Sequence, residues 1–94
     1  MNIQQPLNIE GTQNIEGVVA SRFAAIMEIP RSEVVLDEDL QARYGITSLK
    51  ALKLLSEVEV EFDIDIEQEE ARAIKTLGDV VSLVRQKIDA AAAA

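Results

Sequence analysis

The sequence predicts a single all-α domain with three longer helices, one short helix and a long first loop. Hydrophobic residues make up 48% of the 94 residues but aromatic residues only 3%, so the core must be aliphatic, which favours helix-on-helix packing. Apolar side chains recur at three- and four-residue spacing in three separate segments. Only one segment alternates with a period of two, and a lone strand is not stable.

The first helix is expected to run from Thr12, which can cap it, to about Glu28. Pro30 then stops it, because proline disfavours helical geometry in the residue before it. Residues 1–11 are polar, end in glycine and are expected to form a flexible arm. The buried stripe of this helix is predicted to comprise Ile15, Val19, Phe23 and Ile26.

Residues 30–47 form the long connection after this helix. A loop of this length in a small domain is usually functional or contains short helical turns. The apolar residues that are expected to fasten it to the core are Val34, Val35, Leu36, Leu40 and Tyr44.

The second helix is predicted from Ser48 to Phe62. Beyond it, residues 62–67 alternate apolar with acidic, and we expect an extended connector that places Ile64 and Ile66 in the core. The predicted core stripe of the helix consists of Leu49, Leu52, Leu55 and Phe62, widened by Leu54 and Val58.

A short helix is expected over roughly residues 68–73, followed by the last helix. Thr76 opens that helix with Asp79 three residues on, which is the spacing of a capping box. Residues 12–89 therefore form the predicted domain, and the alanines at 90–94 are expected to be a frayed end. The stripe of the last helix is predicted to be Leu77, Val80, Val81, Val84 and Ile88.

The composition excludes several kinds of chemistry. The absence of Cys and His removes disulfides, thiolate metal sites and the Ser-His and Cys-His nucleophile pairs. The net charge of −8 argues against nucleic acid or anionic membrane as a partner. Residues 37–70 hold 11 of the 17 acidic residues, and no apolar run approaches a membrane span, so a cytoplasmic protein is expected.

One hydroxyl is distinguished by its surroundings. Gly45 can take the positive φ of a tight turn, and Thr47 and Ser48 are both good N-cap residues before a helical run. Ser48 should therefore lie at a helix start, where free N–H groups and the helix dipole favour a phosphate. For a Thr-Ser pair taken alone, a simple N-cap is the better interpretation of Ser48.

The stretch Gly45-Ile46-Thr47-Ser48-Leu49 resembles the attachment site of acyl and peptidyl carrier proteins. The resemblance covers about residues 15–88 with consistent spacing. It includes an acidic pair before a buried leucine, a Phe-x-x-x-Ile connector, a short acidic third helix and the opening of the last helix, at residues 37–40, 62–66, 69–71 and 74–80.

The resemblance implies a right-handed four-helix bundle that is a carrier and not an enzyme. By this resemblance Ser48 receives 4′-phosphopantetheine from coenzyme A through a Mg²⁺-dependent phosphopantetheinyl transferase. The terminal thiol then holds an acyl or aminoacyl group as a thioester. The implied partners of this monomer are the transferase, a loading enzyme and downstream biosynthetic enzymes.

Several residues near Ser48 depart from the family pattern. Thr47 replaces a common Asp, Lys50 and Lys53 stand at positions that are often acidic, and Ser56 and Val60 replace a large apolar and an acidic residue. These departures favour a specialised pathway of polyketide or nonribosomal-peptide type. The alternatives are a fatty-acid-synthesis carrier and a cofactor-free acidic adaptor. The predicted docking residues are Thr47, Leu49, Lys50, Leu52, Lys53, Ser56, Glu59 and Val60.

Overall fold

The structure is a computed structural model that describes residues 14–93. Within this range all regular structure is helical, which confirms the predicted all-α fold. The expected arm at residues 1–11 and the cap at Thr12 lie outside the described residues. The α-helices are α1 (Ile15–Met27), α2 (Leu40–Tyr44), α3 (Ser48–Phe62), α4 (Gln68–Arg72) and α5 (Leu77–Ala93), and a 3₁₀-helix spans Arg31–Glu33.

Helix α1 packs against both α3 and α5 and supplies the centre of the core. Its predicted stripe is confirmed, since all four side chains are buried. The helix ends at Met27, and Glu28 follows in the left-handed region with φ of 58°. The N–H of Ile29 then closes the last turn on the carbonyl of Ala24 at 3.0 Å. Pro30 comes next, as expected for a residue that cannot continue a helix.

The long connection contains a helix, α2, that the sequence analysis did not define. Asp39 caps it, because its carboxylate accepts the N–H groups of Gln41 and Ala42 at 2.9 Å each. Gly45 ends it with a φ of 62°, the positive value predicted for this turn. Five residues make too weak a periodic signal to predict a helix, so only its two caps marked it.

Two backbone hydrogen bonds fasten this connection to the other end of the chain. The N–H of Leu40 donates to the carbonyl of Lys75 at 2.9 Å, and the N–H of Gly78 donates to Leu36 at 2.8 Å. Leu40 itself is buried. These contacts therefore fix the position of α2 and of the turn that follows it.

Helix α3 has the predicted bounds, but the prediction that its core stripe includes Leu49 and Leu52 is wrong. Leu49 and Leu52 are 77% and 63% exposed, whereas Leu54 and Val58 are fully buried. Leu54 and Val58 are four residues apart and so share the helix face that meets the core. Leu49 and Leu52 lie on the opposite face, because the apolar residues of this helix extend around more than one side.

The second half of the domain follows the prediction closely. Ile64 and Ile66 of the connector pack against the core. The capping box of α5 is present, since Thr76 Oγ1 accepts the N–H of Asp79 and the Asp79 carboxylate accepts that of Thr76, each at 3.0 Å. The fraying expected at residues 90–94 stays a prediction. Helix α5 continues through residues 90–93, because alanine has the highest helix propensity.

Candidate functional site

The candidate site is the turn between α2 and the first residues of α3. Thr47 precedes the helix in an extended conformation, and its Oγ1 accepts the N–H of Lys50 at 3.2 Å. Its carbonyl accepts the N–H of Ala51 at 2.9 Å. Ile46 is buried and anchors the turn. Together these contacts make Ser48 the first residue of α3, as predicted.

The side chain of Ser48 is exposed to solvent. Among residues 14–93, no acceptor is present for the N–H groups of Ser48 and Leu49. These two donors lie at the positive end of a 15-residue helix, where a bound phosphate is stabilised. The arrangement therefore suits a hydroxyl that is to carry a phosphodiester.

The structure brings most of the predicted docking residues together on the outer face of α3. We call this surface the outer face and define it by Leu49, Leu52, Lys53, Ser56 and Val60, all of which are exposed. Val60 is 83% exposed, so a large apolar side chain faces water at each end of the surface. Thr47 lies at the N-terminal end of the outer face. Lys50, next to Leu49 in the chain, is half-buried.

Glu59 differs from the other docking candidates in that its side chain is engaged within the domain. It is half-buried, and its Oε2 accepts the N–H of Ile66 at 2.8 Å. Its carbonyl also accepts the N–H groups of Asp63 and Ile64. Glu59 therefore fastens the connector to the end of α3, and its part in docking remains a prediction.

Other acidic side chains hold the helices together. Glu57 and Glu61 lie 3.6 Å and 2.6 Å from the guanidinium of Arg22 on α1. The Glu70 carboxyl on α4 has a lowered pKa. The main cause is the ammonium of Lys87 on α5, and the second is the N–H of Glu67. Part of the acidic surface is thus engaged within the domain and is not free for partners.

A cavity of about 390 Å³ lies on the side of α3 away from the outer face. It was not predicted from the sequence. Ala51, Leu54 and Leu55 line it from α3, and Arg72 and Lys75 line it from the end of α4. One signal in the sequence pointed to these cations. Residues 71–94 carry four basic and two acidic residues, whereas residues 1–36 and 37–70 each carry an excess of acidic ones.

A small helical bundle with an exposed serine at a helix start is the architecture of a carrier domain. The chain matches the family described as phosphopantetheine attachment site over residues 17–84, and it belongs to that family. It is 36% identical to the acyl carrier protein of Exiguobacterium sibiricum over 58 residues, which cover 62% of this chain and 73% of that protein. With the acyl carrier protein of Rickettsia bellii it is 32% identical over 73 residues, 78% of this chain and 85% of that one.

The predicted family is therefore confirmed. The protein is a carrier and not an enzyme, and its family carries 4′-phosphopantetheine as a covalent group. The exposed Ser48 hydroxyl and the two N–H groups beside it fit the attachment of that group. Across residues 14–93, no helix combines the length and the apolar character that crossing a bilayer demands.

Proposed function

We propose that Ser48 is the residue to which 4′-phosphopantetheine is attached. The observation that carries this proposal is the exposure of the Ser48 hydroxyl at the capped start of α3. When attached, the group supplies a thiol that holds an acyl or aminoacyl cargo. Thr47 positions the helix start, and the N–H groups of Ser48 and Leu49 stabilise the negative phosphodiester.

Intact mass tests the attachment directly. After incubation with coenzyme A, Mg²⁺ and a broad-specificity phosphopantetheinyl transferase, the mass should rise by one phosphopantetheine moiety. Ser48→Ala should abolish the rise. Ser82→Ala is the matched control, because Ser82 is also an exposed helical serine but lies on α5, away from the outer face, and should leave the rise intact. An unmodified wild-type chain would instead favour a cofactor-free adaptor.

The outer face of α3 is the proposed docking surface. Its exposed Leu49, Leu52 and Val60 offer apolar contact, and Lys53 with the adjacent Lys50 adds positive charge. Charge complementarity fixes the orientation of short-lived complexes more than it adds affinity. The partner surface that fits has an apolar centre bordered by acidic side chains.

Charge reversal tests this surface. Lys50→Glu together with Lys53→Glu should slow loading by a dedicated enzyme about tenfold or more, because like charges then face each other. The matched control reverses two exposed cations elsewhere, Arg31→Glu with Arg85→Glu, and changes the net charge equally. If the two double variants were loaded at the same rate, the outer face would be excluded as the docking surface of the loading enzyme.

The pathway we propose is of polyketide or nonribosomal-peptide type, with a monomeric carrier in the cytoplasm. The mixed charge around Ser48 supports a dedicated set of partners. A fatty-acid-synthesis carrier is the alternative, and the relatives named acyl carrier protein support it equally. Trapping the thioester from the native host and identifying the bound group by mass distinguishes the two.

A further inference from the structure

The outer face of α3 is an apolar surface that lies open to solvent. Leu49, Leu52 and Val60 are its large apolar side chains, and all three are mostly exposed. Ser56 lies between them, and its small side chain leaves room for a second helix to approach. Positions 49, 53, 56 and 60 are four, three and four residues apart, which is the spacing of a helix–helix seam.

A row of charged residues follows one edge of this face and changes sign halfway along the helix. Lys50 and Lys53 lie in its N-terminal half, and no ion pair in the part of the chain that the structure describes uses them. Glu57 and Glu61 lie in its C-terminal half, where they share the single guanidinium of Arg22. These four residues of α3 are three or four positions apart and so lie on one side of the helix. The two halves of the edge therefore carry net charges of opposite sign.

This pattern is complementary to itself when two copies of α3 lie antiparallel. Around a two-fold axis, an edge of one helix meets the same edge of the other. The register that places Lys53 opposite Glu57 of the second copy also places the other lysine opposite the other glutamate, because both pairs have their midpoint near residue 55. The same register brings Leu49 opposite Val60, so that apolar side chains meet apolar ones.

Two other charges limit the strength of such a pair. Each copy has a net charge of −8, so two copies repel each other at long range. Glu59, on the other edge of the face, keeps its negative charge although it accepts the N–H of Ile66. In the antiparallel register it lies opposite Ala51 of the second copy, near the end of α3 where the helix dipole favours a negative charge. The contact should therefore be weak, with a Kd of about 0.1–1 mM, as befits a small transient interface.

We propose that the unmodified chain forms a weak antiparallel pair with a second copy of itself through the outer face of α3. The proposal goes beyond the carrier function and does not depend on attachment at Ser48. Because the pair covers Leu49 and Val60, it withholds the outer face from other partners when the chain is concentrated. At low concentration the pair dissociates and leaves a monomer whose outer face is free to dock.

A concentration series on the full, unmodified chain tests the self-association. The amide chemical shifts of Leu49, Leu52 and Val60 and the translational diffusion coefficient are measured from about 20 µM to about 2 mM, a range that brackets the expected Kd. We expect the shifts to follow one dimerisation curve while diffusion slows towards the value of a dimer. Shifts and diffusion that stay constant over this range would overturn the inference.

Two single charge reversals test the register. Lys53→Glu and Glu57→Lys each bring like charges together, and each should weaken self-association about fivefold or more, because every contact occurs twice in a symmetric pair. An equal mixture of the two variants restores opposite charges at both contacts and has the same total charge as the wild-type chain. We expect the mixture to associate about as tightly as the wild type. A mixture that associates no more tightly than its two components would overturn the proposed pair.

Arg31→Glu is the matched control for Lys53→Glu. It changes the net charge by the same amount at an exposed residue outside α3, and it should leave the Kd within about twofold of the wild-type value. Equal weakening by the two reversals would show that net repulsion alone governs association, which would also overturn the pair. Circular dichroism checks that each variant is folded. None of these results bears on the loading of Ser48, which the mass measurement tests separately.

Discussion

Thr47 fixes the position at which α3 begins, and with it the position of the Ser48 hydroxyl. Its hydroxyl satisfies the N–H of Lys50, one of the donors that a helix start leaves without a partner. The family pattern often has Asp at this position, and threonine performs the same capping without charge. The cap thus needs a side-chain oxygen, not a carboxylate.

Removing that oxygen should destabilise the domain. Thr47→Ala should lower the free energy of unfolding by about 0.5–2 kcal/mol, because the N–H of Lys50 loses its partner. Urea unfolding followed by circular dichroism measures the change. Thr47→Ser is the control and should stay close to the wild type. A Thr47→Ala variant as stable as the wild type would show that the cap contributes nothing.

The Gly45, Thr47 and Ser48 arrangement was predictable because each residue type has a narrow local use. Glycine takes positive φ without strain, and a hydroxyl before a helix accepts a backbone N–H. The engagement of Glu59 with the N–H of Ile66 was not predictable. The two residues are seven apart, and only the bend at Asp63, with φ of 55°, brings them together.

At the scale of elements, α5 begins with a reciprocal cap. The carboxylate of Asp79 accepts the N–H of Lys75 at 2.8 Å and that of Thr76 at 3.0 Å. The Lys75 bond first, and then the Thr76 bond, hold the pKa of Asp79 below its ordinary value. The start of α5 is therefore sensitive to acid.

The sign of this dependence follows from the lowered pKa. The ionised carboxylate stabilises the folded state, so its contribution is complete above the ordinary aspartate pKa of about 3.9 and is lost as pH falls through the lower folded value. Asp79→Ala should therefore cost about 0.5–2 kcal/mol near pH 7. The difference from the wild type should shrink below pH 4, as measured by urea unfolding at several pH values.

Asp89→Ala provides the control for this experiment. Asp89 is an exposed aspartate of the same helix, but it lies near the C-terminal end, where a negative charge is not favoured by the dipole. Its removal should leave stability unchanged or slightly higher. A pH-independent loss in Asp79→Ala would contradict the role assigned to the carboxylate.

The bounds of α3 were predictable, but its orientation was not. Its apolar residues extend around the helix, so periodicity alone admits more than one buried face. The choice is made by α1, which packs against α3; Leu54 and Val58 are buried, and Leu49 and Leu52 are left in solvent. The cavity depends in the same way on contacts between distant parts of the chain, such as the bond from Leu40 to Lys75.

At the scale of the whole molecule, the side chain of Phe23 on α1 packs against the long connection that contains Tyr44. It is fully buried, and its ring meets that of Tyr44 edge to face, with centroids 4.8 Å apart. Phe23→Ala should lower the free energy of unfolding by about 3–5 kcal/mol, because it leaves a cavity in the core. This is a large fraction of the total of about 5–15 kcal/mol for a small domain.

Thermal and urea unfolding measure this effect. Val60→Ala is the control, because Val60 is 83% exposed and should change stability by no more than about 0.5 kcal/mol. If the two variants were equally stable, the core would not be centred on α1. If both were strongly destabilised, Val60 would have to be buried against a second chain.

The position of Tyr44 has a practical consequence. The chain has two Phe, a single Tyr and no Trp, so Tyr44 dominates its near-ultraviolet absorbance and its intrinsic fluorescence. Its hydroxyl donates to the carbonyl of Glu33 and accepts the N–H of Val35, each at 2.9 Å, and Ser48 follows four residues later. The domain thus contains a native chromophore near the turn that carries Ser48, and we expect its fluorescence to report attachment or docking there without any label.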